Sequence, residues 1–291
     1  MVRVLILGVT GSIGHAIWHF FQDNQYDVWG TLRDERMLAY FPIQSHTKLI
    51  HGVDVLHQSN LIRVFEKVRP AVVINCTGII KQLGSANDPA VVLPLNAIFP
   101  HQLSDICSIL NARLIQVSTD CVFSGKKGNY LETDMSDAED LYGKSKFMGE
   151  ISEKPHVVTL RTSTIGHELN TKYALLEWFL SQKNSVNGYA NAIYSGVPTL
   201  ELASVIRDFV LPNRDLAGLY HVASQPIPKY HLLQLIAKRY SKAINIKLDE
   251  TVCVDRSLSA ARFQEQTGYV PAEWPMLVEK LYQSRQFIGA V

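Results

Sequence analysis

Over residues 1–165, short and almost continuously apolar runs alternate with stretches of helical period. Val2 to Leu7 (VRVLIL) has no polar alternation after Arg3, the pattern of a strand covered on both faces. Ile13 to Phe21 repeats at helical spacing. Strands are predicted at Asp27–Leu32 and Thr47–Val53, a helix at Ser59–Val68 and a buried strand at Ala71–Cys76 (AVVINC). A helix over Asn96–Leu110, a strand at Arg113–Ser118, a helix at Leu141–Ser152 and a strand at Val157–Arg161 continue the alternation. Strand-helix alternation of this kind implies right-handed crossovers and a parallel, doubly wound sheet of the Rossmann type.

Past residue 166 the period loosens. Helices are predicted at Lys172–Gln182, Leu200–Phe209, Lys229–Tyr240 and Glu273–Ser284, with strands at Leu219–Val222 and Ile244–Leu248; Pro198, Pro212, Pro226, Pro228, Pro271 and Pro275 interrupt them. The expected organisation is a cofactor domain over 1–165, rejoined by part of 199–225, and a smaller, partly interleaved α/β substrate domain over 166–291.

Composition narrows the classes. With 291 residues, 47% hydrophobic, and 28 basic against 27 acidic side chains, the chain can bury a sizeable core and carries no charge excess to attract nucleic acid. No apolar run approaches the ~20 residues that span a bilayer. The four cysteines, Cys76, Cys107, Cys121 and Cys253, have no metal-ligand spacing, so neither metal nor disulfide is expected and the cytoplasm is the expected compartment.

Gly8-Val9-Thr10-Gly11-Ser12-Ile13-Gly14 links the first strand to the first helix. Glycine allows a tight turn and lets the backbone approach a pyrophosphate at the helix N-terminus. The second strand ends near Arg33, where an arginine suits the 2′-phosphate of NADPH; a carboxylate would suit NADH, which remains possible. Asp54, beside Val55, is either a contact to adenine or a turn residue. Cys76, Thr77 and Gly78 follow the fourth strand and border the expected cofactor position.

Tyr142 and Lys146 form Y-x-x-x-K, which places both on one helix face. A free phenol has a pKa of ~10, and a neighbouring ammonium is expected to lower it enough for proton exchange with a carbonyl oxygen. Ser118-Thr119-Asp120 follows a strand at the carboxyl end of the sheet, where a hydroxyl can bind the same oxygen. Trp178 and Phe179 read as core, while Tyr194, Arg256 and Trp274 fit nucleotide contact or packing equally.

GVTGSIG (8–14), NCTG (75–78), STDCVFSG (118–125), YGKSKFMGE (142–150) and LRTS (160–163) together resemble the extended short-chain dehydrogenase/reductase superfamily, and within it the dTDP-4-dehydrorhamnose reductase family. The resemblance implies NADPH-dependent reduction of the 4-keto group of a nucleotide-diphosphate-linked 6-deoxyhexulose, with Thr119, Tyr142 and Lys146 as catalytic residues and Asn96 near the cofactor. It implies a nucleotide-sugar partner, often in a homodimer, and a place in deoxysugar and polysaccharide biosynthesis. Asp120, Cys121, Thr164 and Thr199 would touch substrate. Cys121 and Thr164 stand where the family usually has tyrosine and tryptophan. That departure leaves room for a UDP-linked acetamido sugar or a GDP-linked sugar. Cys121 with His167 as base would give an epimerase. The Asp-Glu pair of dehydratase relatives is missing after Thr119. A further alternative, known among relatives, is a non-catalytic cofactor-binding regulatory subunit.

Overall fold

The computed structural model describes residues 1–22 and 26–287. Strands β1 (Val2–Leu7), β2 (Tyr26–Thr31), β3 (Leu49–Ile50), β4 (Val72–Asn75), β5 (Arg113–Thr119), β6 (Val157–Thr162) and β7 (Gly218–His221) form one sheet in the order β3-β2-β1-β4-β5-β6-β7. Every neighbouring pair is parallel. The order reverses between β1 and β4, and the crevice outside the strand ends at such a point is where open α/β sheets bind ligands.

The sheet is sandwiched, which explains the unbroken apolar runs. Val4 and Ile6 of β1 enter one core with Ile17 and Trp18 of α1 (Ser12–Gln22); Leu5 and Leu7 enter the opposite core with Val64 and Phe65 of α2 (Gln58–Val68). Each such side chain contributes about 1.5–3 kcal/mol through removal from water. A third core gathers Leu176, Phe179, Tyr194, Leu232, Ile236, Trp274 and Leu277. It packs around Leu175–Ser181, α6 (Lys229–Arg239) and α7 (Trp274–Gln283), whereas α5 (Thr199–Val205) rests on α1.

Several predicted elements change in extent. The strand expected over 47–53 shrinks to Leu49–Ile50, preceded by 3-10 turns and followed by Gly52 with φ +70°. Helical structure ahead of Asn96 begins at Pro89, capped by Asp88, and passes through a π-helical turn at Pro94–Ile98 into α3 (Phe99–Ile109). Pro89 and Pro94 conceal this start, because a proline is acceptable at a first helical turn but reads as a breaker elsewhere. The helix after Asp140, α4 (Leu141–Met148), stops at Gly149. Ser185–Tyr189, which pairs with Asn245–Asp249, was not anticipated.

Candidate active site

At the switch point, the glycine turn is as tight as its sequence requires. Gly8 sits at φ +82°, and a Cβ on Gly14 would lie 2.1 Å from the Gly8 carbonyl oxygen. No side chain fits between that carbonyl and the first turn of α1, so the backbone of Gly11, Ser12 and Ile13 faces a cleft of about 340 Å³. A glycine cradle at a helix start suits a dinucleotide diphosphate.

The remaining residues expected near the cofactor divide. Arg33 is exposed just past β2, while the neighbouring Asp34 carboxylate is taken up by Arg36 at 2.6 Å. Cys76 and Thr77 follow β4, and the Thr77 hydroxyl donates to Asn75 Oδ1 at 2.6 Å; Gly78 is exposed. Asp54 is a turn residue: its Oδ1 accepts from the Leu56 N–H at 3.0 Å, and Val55 is buried in the core. Asn96 is also internal. Its Oδ1 accepts from Ile79 N–H at 2.9 Å and its amide donates to Ser145 Oγ at 3.3 Å. It therefore fixes the loop after β4 against α4 instead of lining the cleft.

Opposite the glycine turn stand Ser118, Thr119, Asp120, Cys121, Tyr142 and Thr162–Thr164. Parallel register puts Thr119 beside Thr162 at the ends of β5 and β6. Asp140 caps α4 by accepting from Gly143 N–H at 2.7 Å, and a Cβ on Gly143 would meet the Cys121 carbonyl oxygen at 2.2 Å. Glycine after Tyr142 thus lets the helix start press onto the 119–121 turn, bringing phenol and hydroxyl to one cavity.

The electrostatics differ from expectation. Burial raises the Tyr142 phenol, with Cys121 adding to the rise and the Thr119 hydroxyl opposing it, so the phenol keeps its proton at neutral pH. Lys146 is buried behind the cleft wall, where its Nζ donates to the Val117 carbonyl at 2.8 Å. Burial brings it down to about 8, against the pull of Glu150. The expected lowering of the phenol by Lys146 is not seen: dehydration sets the direction, and Lys146 is not among the groups that act most on the phenol. Burial likewise pushes the Cys121 thiol up to about 12 and raises the Asp120 carboxyl.

A second cavity of about 370 Å³ shares Lys81 and Cys121 with the first and adds Phe123, Ser124, Glu139, Asp140 and Arg256. Lys81 pairs with Asp140 at 2.5 Å. Arg256 donates only its Nε, to the Phe123 carbonyl at 2.8 Å, and Lys229 has no hydrogen-bond or ion-pair partner among the described residues. Burial lowers Lys229, whereas Asp120 raises it. Lys81 and Lys229 carry no local sequence signal; the fold alone brings them near Arg256.

Other candidates lie elsewhere. The Nδ1 of His167 pairs with Glu177 at 2.5 Å and its Nε2 lies 2.9 Å from the Tyr240 hydroxyl, so both nitrogens are engaged within the protein and His167, the candidate epimerase base, does not line the cleft. Thr199 is buried at the start of α5 against Gly166 and does not reach the cleft, whereas Thr164 does. Tyr194 and Trp274 join the third core with Phe179; Trp178 is 38% exposed. Among the described residues, no group of three or more His, Cys, Asp or Glu is placed to hold a metal ion, and no helix is long and apolar enough to cross a membrane.

Comparison with known proteins follows the same lines. A dTDP-4-dehydrorhamnose reductase from Aggregatibacter actinomycetemcomitans is 21% identical over 308 residues, covering 97% of this chain and 98% of that one. Methionine adenosyltransferase 2 subunit beta from Xenopus laevis is 29% identical over 148 residues, covering 51% of this chain and 41% of its own length. The crystal structure of dTDP-4-dehydrorhamnose reductase from Bacillus anthracis in complex with NADP superposes with a TM-score of 0.79 at 20% identity, covering 97% of this chain and 98% of that chain. Residues 2–279 match the model of the RmlD substrate binding domain, and the chain belongs to that family.

Proposed function

We propose that this protein is an NADPH-dependent reductase of the 4-keto group of a nucleotide-diphosphate-linked 6-deoxyhexulose. The observation that carries the proposal is the shared cleft, in which the glycine turn at 11–13 faces Thr119 and Tyr142. The first unit would hold the coenzyme and the second the nucleotide sugar. Gly8, Gly11, Ser12, Ile13 and Gly14 would cradle its diphosphate, and Arg33 would meet the 2′-phosphate of NADPH. The saturation of Asp34 by Arg36 supports this choice, since a committed carboxylate is a poor acceptor for a ribose hydroxyl.

Bound NADPH supplies the hydride. Thr119 and Tyr142 hydrogen-bond the substrate carbonyl oxygen, and the Tyr142 phenol gives up its proton as negative charge develops there. Its raised pKa is favourable in this direction, because the donor must enter the reaction protonated. Lys146 places a positive charge behind the phenol and stabilises the phenolate left by the transfer. Lys81, Lys229 and Arg256 offer cations for the substrate's diphosphate. Cys121 and Thr164 leave more space beside the sugar than the family's usual aromatic residues would, so a UDP-linked acetamido or GDP-linked keto sugar fits the same chemistry.

Incubating the protein with NADPH and a panel of nucleotide-linked 4-ketohexoses tests this directly. The expected result is substrate-dependent loss of NADPH absorbance with at least one sugar; no loss with any sugar would reject the proposal. The partial match to a methionine adenosyltransferase subunit supports a second reading, a regulatory cofactor-binding subunit. Coenzyme binding without turnover, together with stable capture of an adenosyltransferase, would favour it.

A further inference from the structure

Glu150 lies one residue beyond the glycine that ends α4. Its side chain is 6% exposed and that of its partner, Arg161, 2%. Arg161 donates Nε to Oε1 at 2.8 Å and Nη2 to Oε2 at 2.6 Å, while the Ser118 hydroxyl donates to Oε1 at 2.6 Å. One turn earlier, Lys146 Nζ holds the Val117 carbonyl. The end of α4 therefore grips β5 at Val117 and Ser118, immediately before the Thr119 hydroxyl. Arg161 is itself fixed on β6: it lies in register with Ser118, its Nη1 is 3.3 Å from His221 Nε2 on β7, and its guanidinium stands over the Phe123 ring at 5.1 Å.

Such an arrangement is not needed for stability alone, because apolar replacements of a buried ion pair are often neutral or stabilising. Its location points to a purpose. The groups acting on Lys146 are the Glu150 carboxylate and, from the end of β4, the Cys76 thiol; Tyr142 shares its helix. On its other side, Glu150 meets Arg161 with His221 behind it.

We propose that Glu150 is a positioning residue, which braces Ser118 against α4 and supplies the carboxylate charge that Lys146 meets in its buried setting. The inference rests on the reductase reading for its catalytic meaning, not for its electrostatics. Burial already brings the Lys146 ammonium down to about 8. Removing the opposing carboxylate lowers it further, so less of it is charged at neutral pH.

The test is NMR titration of the Lys146 side-chain amine, alongside the pH profile of kcat/KM. Glu150→Gln alone strands Arg161 as an uncompensated buried charge, so Glu150→Gln/Arg161→Met removes both charges together. The expected Lys146 midpoint falls in this variant, since of the pair only Glu150 is among the groups acting on Lys146; the alkaline limb of kcat/KM moves with it, and KM changes little. A folded double variant with an unmoved midpoint and limb would overturn the charge role. If it does not fold, Glu150→Asp, which withdraws the carboxylate but keeps it, is expected to move the midpoint in the same direction by less; no movement overturns the charge role equally. Ser118→Ala leaves the ion pair intact and is expected to lower kcat several-fold with the midpoint unchanged; wild-type kcat would overturn the bracing. A shifted midpoint in a protein that turns over no keto sugar would reject the reductase reading and leave the electrostatic role standing.

Discussion

The two ends of the cleft are built differently. At the reaction end, Tyr142 and Lys146 are dehydrated, Lys146 is hydrogen-bonded to Val117, and a glycine packed on a carbonyl seats the helix. At the other end, Lys81 and Arg256 line a cavity on long side chains with Lys229 close enough to feel their charge, and neither Arg256 nor Lys229 forms an ion pair among the described residues. Dehydration and rigidity favour moving a proton at one defined atom. Uncommitted cations favour holding an anionic group whose hydration is only partly lost. On the proposed function, one end serves chemistry and the other recognition.

Breaking the first end should have the largest effect. Tyr142→Phe is expected to lower kcat by about 10²–10⁴-fold in NADPH-oxidation kinetics while coenzyme affinity by titration stays within a few-fold. Arg256→Ala should divide the ends cleanly: KM for the nucleotide sugar rises about 10–100-fold, and kcat stays near wild type. A matching fall in kcat would mean that the recognition end takes part in chemistry.

Acidity sharpens the contrast. A lysine with pKa about 8 loses its charge as pH rises through that value, so kcat/KM should fall up to tenfold per unit above it. Arginine stays charged, so Lys146→Arg should remove the alkaline fall even if its absolute rate is lower. The smallest effect is expected at the coenzyme's far edge. Arg33→Ala should weaken NADPH binding about tenfold in fluorescence titration and leave NADH binding unchanged.

Much of the sheet was legible because its strands are covered on both faces. VRVLIL, AVVINC and RLIQVS read as strands without reference to any partner, and burial on alternate sides explains their lack of polar alternation. The Tyr142–Lys146 and Ser118–Asp120 segments were legible because each is local. The later part of the chain was harder to read. Ser185–Tyr189 exposes alternate residues and pairs only with Asn245–Asp249, so it has the polar mixture of a loop. Lys81, Lys229 and Arg256 were not recoverable as a set, since separate segments bring them into one another's electrostatic reach. His167 and Thr199 had plausible positions in the chain, but each is packed inside: both His167 nitrogens meet partners within the protein, and Thr199 lies against Gly166. The ordering of effects at Tyr142 was also hidden, because how deeply a phenol is dehydrated depends on contacts that spacing does not reveal.

The central claim is that Tyr142 delivers a proton to the same carbonyl that receives hydride from the coenzyme. Single-turnover transfer of deuteride from labelled NADPH, followed by mass spectrometry of the sugar product, measures it most directly. The expected result is one deuterium on the former carbonyl carbon with the wild-type protein, and the same label accumulating at least about a hundredfold more slowly with Tyr142→Phe. Unlabelled sugar from the wild type, or equal rates from the two proteins, would contradict it.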